Sequence, residues 1–215
     1  MAGNHDFYNL GFHQTRMFDK NFDAIWPDPK TVNEIIEHYK RWSTANGITF
    51  LHRNSVKIDG VTFVGVTGWH DYRAGHPYST DEQIAVWYQC LNDTQIYWQK
   101  NGVVDHRFPL DAGIKDVSSL QHMLDKSSGP VVIITHHVPH TKLCWQQPHN
   151  RIWTMLHGSF ANTRMEKVKD QKIRYWVYGH THNRGMTDID QITYVCNAKG
   201  YRGENPHWEP IVLEL

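Results

Sequence analysis

The run Gly129-Pro130-Val131-Val132-Ile133-Ile134-Thr135-His136-His137-Val138-Pro139-His140 decides the fold. Gly129-Pro130 stops whatever precedes it. Four β-branched residues then follow without polar alternation, the pattern of a strand buried on both faces. Such a strand belongs to a largely parallel sheet with helices packed over it. The polar stretch from Thr135 to His140 sits beyond its carboxyl end, where α/β folds collect functional groups.

Outward from this run the same grammar repeats. Trp176-Val177-Tyr178 reads as a second buried strand and Thr193 to Cys196 as a third, while Ile211, Leu213 and Leu215 alternate as a last one. Val117, Leu120 and Leu124 mark an amphipathic helix, and Met165 to Lys172 a charged surface helix. Upstream, Asp28-Pro29 supplies an N-cap and a first helical proline. Val32, Ile35, Ile36, Tyr39 and Trp42 follow at helical spacing, and Asn46-Gly47 closes the element. Ser55 to Ile58 and Val61 to Thr67 flank Asp59-Gly60, a strong hairpin signal. Residues 70 to 110 are the hardest to read; loops and one irregular helix over Thr80 to Leu91 are expected. No repeat or linker divides the chain, so residues 1–215 are read as one α/β domain.

Composition narrows the function. Of 215 residues, 40% are hydrophobic and 20% charged, enough for a sizeable core. Lys+Arg and Asp+Glu balance at 22 each, which argues against affinity drawn from a basic face on nucleic acid or anionic lipid. A small phosphorylated substrate needs only a local positive site. No apolar run reaches the ~18 residues of a membrane span, and Met1 to Asp6 lacks the features of a signal peptide. Cys90, Cys144 and Cys196 form no CxxC pair, which predicts a reducing, cytoplasmic setting.

The positive clue is the 16 histidines and where they cluster. In Gly179-His180-Thr181-His182, residues i and i+2 of an extended segment project to one side, so both imidazoles can face one site, and Gly179 permits close approach of the backbone. Of His136 and His137 only one should reach that site, and His136 is favoured as nearer the strand end. Gly3-Asn4-His5-Asp6 offers an amide, an imidazole and a carboxylate. Each cluster alone has an ordinary reading as loop or terminus. Together, on separate strand ends, they suit a divalent metal such as Mn, Fe or Zn.

These residues resemble the calcineurin-like metallophosphoesterase superfamily. GNHD at Gly3 to Asp6, a strand-end histidine at His136 and GHTH at Gly179 to His182 stand in the family's order. Val61 to Trp69 and the Asn197 to Tyr201 run (NAKGY) extend the similarity. The resemblance implies a layered β-sandwich flanked by helices, and hydrolysis of phosphate mono- or diesters through a metal-bound hydroxide. It implies one or two divalent ions. Asn4, His136 and His180 would ligate one and His182 the other; His5 would contact phosphate or protonate the leaving oxygen, and Asp6 would orient its loop. Tyr201, Arg202, Arg184 and Trp145 are the substrate-contact candidates.

The family's DxH and GDxxD motifs do not occur in this chain, and the N-terminal strand segment that carries them is lacking. Because every retained motif is intact, the expectation is a coding sequence that continues upstream. His70-Asp71, at the end of a strand-like run, is not assigned to the metal. An open edge on a buried strand predicts a homo-oligomer. The competing function is a non-catalytic module holding a phosphorylated ligand in the same cleft; nucleic acid is expected only as a substrate. The other tryptophans are read as packing, and His13, His38, His52, His106, His122 and His157 as ordinary surface or core residues.

Overall fold

The protein folds around the strand just quoted. In the computed structural model residues 1–8, 30–99, 102–144 and 150–215 are described. The first helix, α1 (Val32–Ala45), leads into β1 (Asn54–Ile58) and β2 (Val61–Val66). Next come α2 (Thr80–Cys90), a small ribbon of β3 (Tyr97–Gln99) with β4 (Gly102–Val103), and the long α3 (Arg107–Lys126). The strand β5 (Val131–Thr135), the short α4 (Arg151–Leu156), β6 (Ile173–Tyr178), β7 (Arg184–Ile189) and β8 (Ile192–Asn197) complete the order.

Six strands make the main sheet in the order β1-β2-β5-β6-β8-β7. The inner four run parallel, and antiparallel β1 and β7 close the two ends. Strand β5 therefore has a partner on each side, and Val131, Val132 and Ile133 are buried. The open edge foreseen on a buried strand is not found among the described residues. Both edges are instead solvated strands, β1 with exposed Asn54, Ser55, Lys57 and Ile58, and β7 exposed from Arg184 to Asp188.

Local chemistry explains most elements. Thr31 and Glu34 form a reciprocal capping box at the start of α1: the Thr31 hydroxyl accepts from Glu34 N, and Glu34 Oε2 accepts from Thr31 N. The foreseen cap, Asp28, lies outside the described residues. Asp59 and Gly60 both take positive φ, the geometry of the tight hairpin turn that their pairing signals. On one face of the sheet, Leu120, Met123 and Leu124 of α3 pack against Val64, Val66, Val131, Ile133 and Trp176. A second core, with Phe7, Ile35, Trp69, Tyr72, Trp87 and Ile96, joins the N-terminal turn, α1 and α2.

Three expectations need correction. Met165 to Lys172 is not a helix of the surface: a 3-10 turn spans Thr163–Lys167 and buries Met165 completely, because the core beneath takes the methionine. Residues 211–215 are extended but join no ladder; apart from the Tyr175 hydroxyl donating to the Glu214 carbonyl, alternation found no neighbouring strand to pair with. Strand β7 was not foreseen, since Arg184 to Asp188 are exposed on both faces and give no period to read.

One interaction aligns the loops beyond the strand ends. Asp116 of α3, fully buried, accepts hydrogen bonds from Arg53 Nε (2.6 Å), Gly68 N (2.8 Å) and Trp69 N (3.3 Å). Close packing tightens the same joint, for a Cβ on Gly113 would stand 2.4 Å from the Trp69 carbonyl oxygen. Asp116→Ala should lower stability by about 3 kcal/mol, at the low end for breaking a buried pair because Arg53 keeps a path to water. Urea denaturation measures this, and a loss below ~1 kcal/mol would show that the joint is not held by the carboxylate.

Candidate active site

Thr67, at the exit of β2, ties the three motif loops together. Its carbonyl accepts from His136 N (3.1 Å) and His137 N (3.0 Å), and its hydroxyl donates to the Ala2 carbonyl (3.1 Å). The His136 carbonyl then accepts from Gly179 N (3.1 Å). The exits of β2, β5 and β6 and the N-terminal segment thus share one hydrogen-bonded seam.

The N-terminal motif folds as a 3-10 turn, Asn4–Phe7. Asp6 holds it: one carboxylate oxygen accepts from Gly3 N (2.8 Å) and the other from the Tyr39 hydroxyl on α1 (2.9 Å). A Cβ on Gly3 would lie 2.5 Å from His136 Nδ1, so glycine is required for the turn to rest on that ring. Gly179 is under no such constraint, because a Cβ there would meet His136 at an ordinary 3.7 Å. The close approach read from sequence at Gly179 belongs to Gly3.

Three foreseen ligand atoms converge. His136 Nε2 is 2.8 Å from Asn4 Oδ1 and 3.1 Å from His180 Nδ1. Cis ligands of a six-coordinate ion bonded at about 2.1 Å are separated by ~3.0 Å, so the two spacings match a cation's first shell. His180 Nε2 is buried with no hydrogen-bond partner among the described residues. Among those residues no group of three His, Cys, Asp or Glu side chains is arranged to hold an ion. The trio here takes its third donor from an amide. Two imidazoles and an amide oxygen fit a borderline divalent metal.

His182 does not join the trio. His180 and His182 both adopt left-handed backbone (φ 70° and 55°), and Thr181 N bonds back to the Gly179 carbonyl (2.8 Å). The segment is a tight bend, so the same-side rule for extended chain does not apply. His180 is turned inward against Phe160 and His137, with ring centroids at 5.1 and 4.5 Å. His182 stays at the rim, where Nδ1 meets Glu204 Oε2 at 2.7 Å and the ring sits edge-on to Tyr201 at 4.7 Å.

His5 stands on the same rim, 4.7 Å from the Tyr8 ring and 6.1 Å from Tyr201. Burial lowers its proton affinity, and the Asp93 carboxylate partly opposes this. His136, His137 and His180 are held well below the usual histidine range, by burial first and then by one another. His137 faces away from Asn4, toward the Thr67 carbonyl (3.4 Å) and His70 (3.4 Å). Asp71 Oδ2 binds Thr163 and pairs with Arg164, at 2.8 and 3.0 Å, while Oδ1 is buried with no hydrogen-bond partner among the described residues.

Among the substrate candidates, Tyr201 lines the rim. Arg184 is committed to Asn197 Oδ1 (3.1 Å) and the Glu209 carbonyl (3.3 Å), Arg202 is exposed, and Trp145 lies outside the described residues. Sequence reasoning missed Asp93, which binds Asn4, and Glu204, which binds His182. Neither belongs to a histidine motif. The only signal was a carboxylate in a turn, Asn92-Asp93 or Gly203-Glu204-Asn205, and such turns are common.

The buried imidazoles make stability depend on pH. Burial lowers His70 to about 4, with Asp93 opposing. Between that value and the ordinary 6.5 the unfolded chain binds more protons, so stability falls as pH drops through the interval and is unaffected above it. For His70 alone the full loss is ~3 kcal/mol. His70→Asn should make the fall of urea midpoints from pH 7.5 to 4 shallower, while the other buried histidines keep their share of it. An unaltered slope would show that His70 does not resist protonation.

The comparisons with known proteins agree with this fold. The family described as calcineurin-like phosphoesterase matches residues 1–184. An uncharacterized protein, L509, of Acanthamoeba polyphaga mimivirus is 21% identical, over 98% of this chain and 70% of its own. Among solved structures, the phosphopantetheinyl hydrolase of Mycobacterium tuberculosis superposes with a TM-score of 0.64 at 15% identity, over 96% of this chain and 71% of that one. This last likeness shows a shared fold. With its motif loops gathered at the ends of β2, β5 and β6, the chain belongs to the calcineurin-like phosphoesterase family.

Proposed function

We propose that the protein is a metal-dependent hydrolase of phosphate mono- or diesters, with a divalent cation held by Asn4, His136 and His180. The observation that carries this reading is that His136 Nε2 lies 2.8 Å from Asn4 Oδ1 and 3.1 Å from His180 Nδ1. A divalent ion would supply Lewis-acid stabilisation of charge on a phosphoryl oxygen.

The chain's own groups divide the remaining work. His136 and His180, kept neutral by burial, would each offer a ring-nitrogen lone pair to the ion. The Asn4 amide adds an oxygen donor whose orientation is fixed from behind by Tyr8 and Asp93, each 2.8 Å from Nδ2. His5, at the mouth, would donate a ring proton to the leaving ester oxygen. Tyr201 and Tyr8 wall the approach on either side of His5. His182, steadied by Glu204, would serve a second cation at the rim.

The test is hydrolysis of para-nitrophenyl phosphate and its bis-ester with added Mn. Turnover should require the metal, stop with EDTA, and fall at least ~100-fold in His180→Ala, since loss of even an indirect ligand contact costs 10–100-fold. Activity indifferent to chelation would remove the metal from the reaction. Bound Mn without turnover would favour the non-catalytic, ligand-holding module.

A further inference from the structure

Asp93 lies outside every motif loop. It follows α2 in a 3-10 turn, Asn92–Gln95, and its side chain is 0% exposed. Oδ1 accepts from Asn4 Nδ2 (2.8 Å) and from the Tyr8 hydroxyl (2.6 Å); Oδ2 accepts from Trp87 Nε1 (3.2 Å). All three donors are neutral. Among the described residues no Lys, Arg or His forms an ion pair with it, in contrast to the equally buried Asp71 and Asp116, which pair with Arg164 and Arg53.

A carboxylate taken fully out of water is costly unless positive charge lies near. Three neutral hydrogen bonds offset part of that cost. The rest is explained by what stands on the far side of Asn4. The amide has two ends, a donor and an acceptor. Its nitrogen is bound by Asp93 and Tyr8, so its oxygen must face the other way, where His136 Nε2 lies at 2.8 Å with His180 beyond. The ligand set is an amide and two neutral imidazoles, so it contributes no charge against a divalent cation. The nearest buried anion reaching these ligands by a hydrogen bond is Asp93.

We propose that Asp93 is a positioning residue of the metal centre: it fixes the Asn4 oxygen toward the cation and supplies, through that one amide, the negative charge the neutral ligands lack. This rests on the reading of Asn4, His136 and His180 as the cation's ligands. The arrangement follows the general pattern in which outer partners orient a ligand and raise its donor strength. Here the oriented ligand is an amide, which has no charge of its own to adjust.

The experiment is a titration of the metal-stripped full chain with Mn, following free Mn by electron paramagnetic resonance, beside the melting temperature of the metal-free protein. Asp93→Asn should weaken Mn binding about 10–100-fold in folded protein. A purely structural role would lower the metal-free melting temperature and leave the affinity of the folded fraction alone. Mn affinity within two-fold of the unaltered chain would therefore overturn the inference while leaving the proposed function standing. Tyr8→Phe removes one donor to the carboxylate and one acceptor of Asn4 Nδ2 but keeps the charge. It should weaken Mn binding less than about ten-fold, and a loss of ten-fold or more would overturn the charge argument even if Asp93→Asn fails to fold. An unaltered chain that binds no Mn would overturn the proposed function, and this inference with it.

Discussion

Two backbone amides, those of His136 and His137, compete for one carbonyl at Thr67, and the hydroxyl of the same residue reaches back to Ala2. That junction is what allows distant parts of the chain to act on one point. Strand β5 cannot extend its ladder past Thr135 without losing these bonds, so it turns there and delivers His136 toward Asn4. The His136 carbonyl then holds Gly179, which sets where β6 ends and where His180 begins. From the other side, Asp116 fixes Gly68 and Trp69, the two residues after Thr67. The parallel sheet supplies the alignment of strand ends, and the seam converts it into a spacing of about one hydrogen bond between side chains 44 and 132 residues apart.

The electrostatic character of the site follows from the same burial. His136, His137 and His180 form a triangle of rings with centroids 5.3, 5.0 and 4.5 Å apart, and His70 adjoins it 5.3 Å from His137. None can be charged cheaply when its neighbours are imidazoles and its surroundings are protein. Neutral nitrogen is the state that binds a metal, so the enclosure favours ligation over acid–base duty for the inner histidines. The rim differs. His5 and His182 lie beside carboxylates and tyrosines and keep access to solvent, which suits proton transfer and substrate contact.

Much of this was legible in the chain. The unbroken apolar run of β5, the Asp59-Gly60 hairpin and the helices at Thr80 and Val117 needed only period and turn chemistry. That Asn4, His136 and His180 come together was legible as well, because strand ends in an α/β sheet point to one side and the histidines sat on them. What failed did so for identifiable reasons. The same-side reading of His180 and His182 failed because the backbone of Gly179 to His182 bends in the left-handed region instead of running extended. Strand β7 carries no periodic burial, and the tail at 211–215 has period without a partner. Asp93 and Glu204 were invisible because each acts from a turn on a residue 89 or 22 positions away, and no local pattern encodes such a contact. The stretch from 70 to 110, least readable by period, holds the carboxylate closest to the candidate ligands.

The account turns on whether Asn4, His136 and His180 hold one cation among them. Crystals of the protein grown with Mn, measured for anomalous scattering, test it most directly. A peak at about 2.0–2.3 Å from Asn4 Oδ1, His136 Nε2 and a ring nitrogen of His180 is the result predicted. Strong anomalous density at other residues, with this trio still joined by its own hydrogen bonds, would contradict it.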